Sequence, residues 1–122
     1  MQYALLIHEP EAESYPDGEA SPAWKAILEA HTQYGMQMGE AGVFVGGAGL
    51  KSATTATTVR VTASGRTVHD GPFAETREQL GGLYMIDVPD LDAAIDWARR
   101  LPIAGNGAVE IRPMLPPPPI PD

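Results

Sequence analysis

Apolar residues recur along this chain with two different periods, and the change of period predicts the elements. Residues 3–8, YALLIH, form a compact apolar run typical of a strand covered on both faces or lying at an interface. Ser21-Pro22 is a favourable helix start, and apolar positions then recur at steps of three and four as far as Gly42. This pattern predicts a helix of about five turns. Its core-facing stripe comprises Trp24, Ile27, Leu28, His31, Tyr34, Gly35, Met38 and Ala41.

The middle of the chain shows patterns of apolar and polar residues that are typical of strands. Residues 43–50, VFVGGAGL, predict a short strand that runs into a glycine-rich turn. The segment TTVRVTASGRTVHD alternates valine with polar residues and turns at Ser64-Gly65, which predicts a β-hairpin whose return strand ends near Asp70. AETREQLGG then predicts a helical turn closed by glycine, and LYMIDV predicts another strand.

The last third predicts a second helix and a final strand. Asp90 is placed to cap a helix, which Pro102 and Gly105 end, and AVEIRP alternates like a strand. Residues 115–122, LPPPPIPD, predict an extended or disordered tail, so the predicted domain covers residues 1–114. The apolar stripe of the second helix comprises Leu91, Ala94, Ile95, Ala98 and Leu101.

The predicted order is β, α, β, inserted hairpin, β, α, β. Right-handed crossovers place both helices on one face of a single sheet, which is the ferredoxin-like α+β fold. The opposite face would then expose apolar side chains to water, and a second copy of the chain is the economical cover. We therefore expect a homodimer packed sheet to sheet. The candidates for that exposed face are some of Leu5, Leu6, Ile7, Tyr84 and Ile86.

Composition excludes several classes of function. The length of 122 residues suits one domain, and the net charge of −8 works against binding to nucleic acid. No apolar run is long enough to span a membrane, and the N-terminus lacks the basic region of a signal peptide, so we expect a cytoplasmic protein. The absence of cysteine excludes thiolate catalysis, and the scattered histidines at 8, 31 and 69 do not resemble a metal site. No cofactor is expected, because GGAG at 46–49 is too short for a dinucleotide-binding motif.

Asp70 occupies an unusual position. It has the same strand parity as Val68, so it points inward if Val68 does. A turn aspartate usually accepts from the N–H two residues on, but here that residue is Pro72, which has none. One interpretation is a turn in which Gly71 supplies flexibility, Pro72 fixes φ and Phe73 fills a core. The other is a carboxylate available for catalysis or ligand binding.

His31 lies on the apolar stripe of the first long helix. It is either a core histidine bonded to backbone or water, or a proton-transfer group. Paired with Asp70 it would act as general acid or base, because the carboxylate would fix its tautomer and raise its pKa. Arg60 or Arg77 is a candidate for holding an anionic group. The candidate ligand-binding residues are Tyr34, Gly71, Pro72 and Phe73.

The segment DGPFAETREQLGGLYMIDVPDLDAAIDWARRLP, followed by GAVEIRPM, resembles the YCII-related proteins, in the branch often called DGPF-domain proteins. The resemblance covers almost the whole chain. It implies a dimeric α+β barrel with ligand clefts between helix and sheet, and a His–Asp pair that corresponds to His31 and Asp70. A few related proteins act as lyases by proton transfer. His69 and the long proline tail depart from the pattern.

Two functional hypotheses follow. The first is a small-molecule enzyme or ligand-binding protein in which His31 transfers a proton and Asp70 orients it. The second is a non-catalytic binding or regulatory module in which Asp70 only shapes a turn. The resemblance supports this alternative too, since other members of the branch are encoded beside, or fused to, alternative sigma factors. A ligand-sized pocket holding both side chains would favour the first hypothesis.

Overall fold

A computed structural model describes residues 1–121 and confirms the predicted order of the main elements. Single 3-10 turns lie at Gly18–Ala20 and Ala53–Thr55. The helices are α1 Glu11–Ser14, α2 Pro22–Glu40 and α3 Leu91–Arg100. The strands are β1 Gln2–Glu9, β2 Phe44–Gly49, β3 Thr57–Thr62, β4 Gly65–Asp70, β5 Gln79–Asp87 and β6 Ala108–Pro113.

The main sheet has four strands in the order β2-β5-β1-β6, and each neighbouring pair is antiparallel. This arrangement confirms the ferredoxin-like α+β fold. The inserted hairpin, β3 and β4, forms a separate two-stranded sheet. The hairpin is therefore not an extension of the main sheet, and this separation determines where its side chains point.

The core lies between one face of the main sheet and the two long helices. Alternate residues of β1 are buried, as expected for a strand with one covered face. Leu5 on β1, Met38 on α2 and Ile86 on β5 are the largest fully buried side chains. The same cluster also contains Tyr3, Ile7, Tyr34, Val88, Ala94, Trp97 and Leu101.

The helix boundaries follow the predicted signals. α2 begins at Pro22 after Ser21, although the Ser21 hydroxyl donates to the carbonyl of Gly18 at 2.7 Å instead of capping α2. Gly42, with φ of 72°, follows the end of α2 in a conformation that glycine adopts readily. The carboxylate of Asp90 accepts a hydrogen bond from the Ala93 N–H at 2.9 Å, which confirms the predicted cap of α3.

Two local predictions were wrong. AETREQLGG does not form a helical turn, because β5 begins at Gln79 and pairs its first residues with the end of β1. The glycines after Val45 lie within β2 instead of forming a turn. Gly47 faces the ring of Tyr84, and a Cβ on Gly47 would lie 2.8 Å from Cδ1 of that ring. The glycine therefore lets the aromatic side chain lie across the strand.

Among residues 1–121, no helix covers the other face of the main sheet. The register places Leu6 of β1 opposite Leu83 of β5, and Ala4 opposite Met85, and all four side chains are partly exposed. Of the residues considered for this face, Leu5, Ile7 and Ile86 are instead buried on the helix side. We call the surface formed by Ala4, Leu6, Leu83 and Met85 the open face.

Residues 115–121 of the predicted tail lie beyond β6 and are exposed, and Asp122 lies outside the described residues. Among residues 1–121, no helix combines the length and the apolar character that crossing a membrane requires.

Candidate functional site

A cavity of about 470 Å³ lies between α2 and the helix-side face of the main sheet. This volume falls within the range of small-molecule sites. The wall that α2 provides includes Trp24, Ile27 and His31, which the helical repeat brings onto one side. Aromatic rings from Tyr15, Phe44 and Tyr84 also line the cavity.

Glycines of β2 and β5 form the sheet side of the cavity. Gly47, Gly49, Gly81 and Gly82 all line it, and the missing side chains leave its floor open. The same glycines allow close packing between the strands, since a Cβ on Gly82 would lie 2.9 Å from the Ala48 carbonyl oxygen. The glycine-rich segments therefore create the space for a ligand.

His31 contacts Tyr84 across the cavity wall. Its Nδ1 lies 2.8 Å from the Tyr84 hydroxyl, and the two ring centroids are 5.7 Å apart. Burial lowers the pKa of His31 below its ordinary value and raises the pKa of Tyr84 above its own. Both groups are therefore neutral at neutral pH.

The contact between His31 and Tyr84 leaves one nitrogen of the imidazole ring for a ligand. The Tyr84 contact occupies Nδ1, so Nε2 of His31 is the nitrogen available to a bound molecule. If Nδ1–H donates to the Tyr84 oxygen, Nε2 is an acceptor and acts as a base. If the Tyr84 O–H donates to Nδ1, then Nε2 carries the proton. Either arrangement suits proton transfer.

Tyr34 lies in the core and does not line the cavity. Its side chain is buried, and its hydroxyl donates to the Trp97 carbonyl at 2.7 Å. The Tyr34 ring packs edge-on against Tyr84, with 5.3 Å between centroids. Tyr34 therefore supports Tyr84, which in turn contacts His31.

Asp70 does not point inward in a single chain, because Val68, on which that orientation was conditional, does not point inward either. Val68, which has the same parity, is 68% exposed, and Asp70 is exposed as well. The reason is that β3 and β4 form their own sheet, so neither face of the hairpin is covered. Within residues 1–121 the Asp70 carboxylate has no hydrogen-bond partner, and His31 is bonded to Tyr84 instead. A His31–Asp70 contact therefore stays a prediction.

The turn after Asp70 supports the turn-forming interpretation of Gly71. Gly71 has a φ of 119°, which is strained for residues other than glycine. The N–H of Gly71 donates to the Ala56 carbonyl at 2.7 Å, and the Gly71 carbonyl accepts from the Thr58 hydroxyl. Phe73 does not fill a core, because it is 73% exposed and lies under the Arg60 guanidinium. Gly71, Pro72 and Phe73 are also not among the residues that line the cavity.

The arginines considered for an anionic group lie elsewhere. Arg60 contacts Phe73, and Arg77 forms an exposed ion pair with Glu13. Within the described part of the chain, no group of three or more His, Asp or Glu side chains is placed to hold a metal ion.

Sequence analysis missed Glu9, the last residue of β1. Its side chain lines the cavity and is only 9% exposed, and it accepts a hydrogen bond from the Tyr15 hydroxyl at 3.0 Å. Burial raises the pKa of Glu9, the Tyr15 hydrogen bond opposes that rise, and the nearby charge of Glu11 adds to it. The signal was present in the sequence, because Glu9 has the same parity as Tyr3, Leu5 and Ile7.

Comparison with known proteins identifies the family of this chain. The sequence model of the YCII-related domain matches residues 1–117. A protein of Rhizobium meliloti (strain 1021), "Uncharacterized protein R00369", is 38% identical over 121 residues, which cover 93% of this chain and 92% of that protein. The name of this relative carries no activity.

Proposed function

This chain belongs to the YCII-related family, and we propose that it binds a small molecule in the cavity beside α2 and transfers a proton to or from that molecule. The observation that carries the proposal is the position of His31. This histidine lines a ligand-sized cavity, Tyr84 engages one of its nitrogens, and the other nitrogen remains available.

The surroundings suit general acid–base chemistry. A neutral imidazole accepts a proton from a bound molecule at Nε2 and can return it to another atom of that molecule. The Tyr84 hydroxyl fixes the ring and stabilises the imidazolium that forms. The partial burial of His31 and Tyr84 among aromatic side chains strengthens this polar interaction. A lyase-like reaction, in which a proton leaves one carbon of the substrate, is within the reach of this arrangement.

The test is a small-molecule screen by thermal shift on the wild type, His31→Gln and Asp70→Asn. Ligands of the wild type should lose roughly tenfold or more in affinity with His31→Gln, because a hydrogen bond in a buried site is lost. Burial lowers the pKa of His31, so binding should persist on mild acidification and fade only when the pH falls below that lowered value. Equal affinities for the wild type and His31→Gln would contradict the proposal.

Asp70→Asn distinguishes a site that one chain forms alone from a site that two chains form together. If one chain is sufficient, this variant should bind the same ligands as the wild type, because Asp70 is exposed and distinct from the residues that line the cavity. If Asp70→Asn loses the same ligands as His31→Gln, the pair forms between two chains.

We propose also that two chains pack through their open faces. Four apolar side chains of the open face are partly exposed, and Val59, Val61 and Val68 of the hairpin are more than half exposed. Such surfaces are unusual on monomers and are a mark of interfaces.

The measurement is light scattering on the wild type, Leu83→Arg and Leu91→Arg. The wild type should have twice the chain mass of 13.0 kDa, and Leu83→Arg should be a monomer, since an arginine on the open face leaves a buried charge in the interface. Leu91 is a half-exposed leucine on α3, so Leu91→Arg should remain dimeric. A monomeric wild type at micromolar concentration would refute the dimer.

The exposed hairpin also favours the second candidate function, a non-catalytic binding or regulatory module. Its valines and Phe73 offer an apolar surface to another protein. This function would be favoured over the first if the wild type binds no small molecule in the screen but forms a complex with another protein, and if Val68→Glu abolishes that complex.

A further inference from the structure

The carboxylate of Glu9 is buried with little to balance its charge. The Tyr15 hydroxyl donates to Oε2, and this is the hydrogen bond that residues 1–121 provide to the carboxylate. Burying a carboxylate is costly unless a cation or a proton compensates it. No cation of the described residues forms an ion pair with Glu9, so either a proton or a bound cation balances its charge.

The protein cation at the cavity is already engaged. Among the described residues that line the cavity, Lys51 alone has a permanent positive charge. Its Nζ lies 2.9 and 3.1 Å from the two carboxylate oxygens of Glu19. Lys51 is therefore paired with Glu19 at the exposed edge of the cavity and not with Glu9.

The free oxygen of Glu9 is accessible from the cavity. Oε1 accepts no hydrogen bond from the described residues, and among those residues no fully buried side-chain oxygen or nitrogen lacks a partner. Oε1 is therefore in contact with solvent space, and Glu9 is a lining residue of the cavity. A bound molecule can reach this oxygen directly.

Aromatic rings lie at the same end of the cavity. Tyr15, which is bonded to Glu9, packs edge-on against Trp24 with 5.1 Å between ring centroids, and both rings line the cavity. Faces of tyrosine and tryptophan attract organic cations. The net charge of −8 adds a long-range attraction for cations and a repulsion for anions.

From these observations we infer that Glu9, Tyr15 and Trp24 form a binding site for the ammonium group of an organic amine. The inference rests on the proposed function, because it specifies the class of molecule that enters the same cavity. The ammonium donates to Oε1 of Glu9 and lies against the two rings. His31, on another part of the wall, then faces the remainder of the molecule.

The experiment compares three probes of nearly equal size: benzylammonium, benzyl alcohol and benzoate. Their dissociation constants are measured by calorimetry at neutral pH with the wild type, Glu9→Gln and Glu13→Gln. Glutamine preserves the shape of Glu9 and can still accept from Tyr15. Glu13 is exposed and does not line the cavity, so Glu13→Gln removes the same net charge elsewhere.

The wild type and Glu13→Gln should bind benzylammonium roughly ten- to a hundredfold more tightly than benzyl alcohol, and benzoate most weakly. Glu9→Gln should abolish the preference for the ammonium, because a neutral amide does not compensate the charge of the probe. If the wild type binds the alcohol as tightly as the ammonium, or if the preference survives in Glu9→Gln, the amine site is wrong while the cavity stands. If none of the probes binds, both the inference and the proposed cavity fail.

Discussion

Replacing Gly35 with leucine is expected to abolish ligand binding and to raise the free energy of unfolding by about 1 kcal/mol. Gly35 lies on α2 and lines the cavity, and a Cβ at this position would meet no atom within 4 Å. A leucine side chain therefore extends into the empty space. The helix gains stability because glycine is a poor residue in a helix interior.

Gly35→Leu should lose ligand binding while its free energy of unfolding rises. A variant that lost binding because it unfolds would instead have a lower free energy of unfolding. Urea denaturation gives the free energy of unfolding, and the ligands found with the wild type measure binding. Gly39→Leu is the matched control. Gly39 is also on α2 with open space at its Cβ, but it does not line the cavity. It should gain similar stability and retain binding. Full ligand binding by Gly35→Leu would show that ligands bind elsewhere.

The second large effect is expected from Gly47→Ala, which should lower the free energy of unfolding by about 2 kcal/mol. The new Cβ would lie 2.8 Å from Cδ1 of Tyr84 and 3.0 Å from the Leu83 carbonyl oxygen. The backbone oxygen cannot retreat without disturbing the pairing of β2 with β5. The Tyr84 ring must move as well, and it takes with it the hydrogen-bond partner of His31.

Two measurements on Gly47→Ala separate these consequences. Urea denaturation reports the loss of stability, and the nuclear magnetic resonance signals of the His31 ring report the loss of the Tyr84 contact. Gly49→Ala is the control on the same strand, because a Cβ on Gly49 would meet nothing within 4 Å. It should leave both measurements near those of the wild type. Equal stability of the two variants would mean that β2 tolerates a side chain under Tyr84.

Local signals were sufficient for much of the fold. α2 and α3 have periodic apolar stripes, and their first residues follow Ser21 and Asp90, so their limits could be predicted from short segments. The start of β5 could not be predicted from a short segment, because Gln79 pairs with Glu9, some seventy residues away along the chain. The extension of β2 through its glycines depends in the same way on Tyr84.

The candidate site was predictable only in part. The helical repeat placed His31 on the side of α2 that faces the sheet, and the structure puts it on the cavity wall. The Tyr84 contact depends on tertiary packing and left no signal near His31. The exposure of Asp70 could not be predicted, because strand parity gives the relative orientation of Val68 and Asp70 but not whether either face of the hairpin is covered. The same parity rule, applied to β1, identifies Glu9.

The four-stranded sheet has helices on one side only, and this gives its two sides separate tasks. The cavity opens beneath α2, while the surface of Leu6, Leu83 and Met85 points the opposite way. In a pair of chains joined back to back, the two chambers would lie on the outer flanks of the assembly, each with its own entrance. A molecule would then enter each chamber from the side opposite the open face, so substitutions of Leu6, Leu83 or Met85 would alter pairing without altering the lining of the cavity.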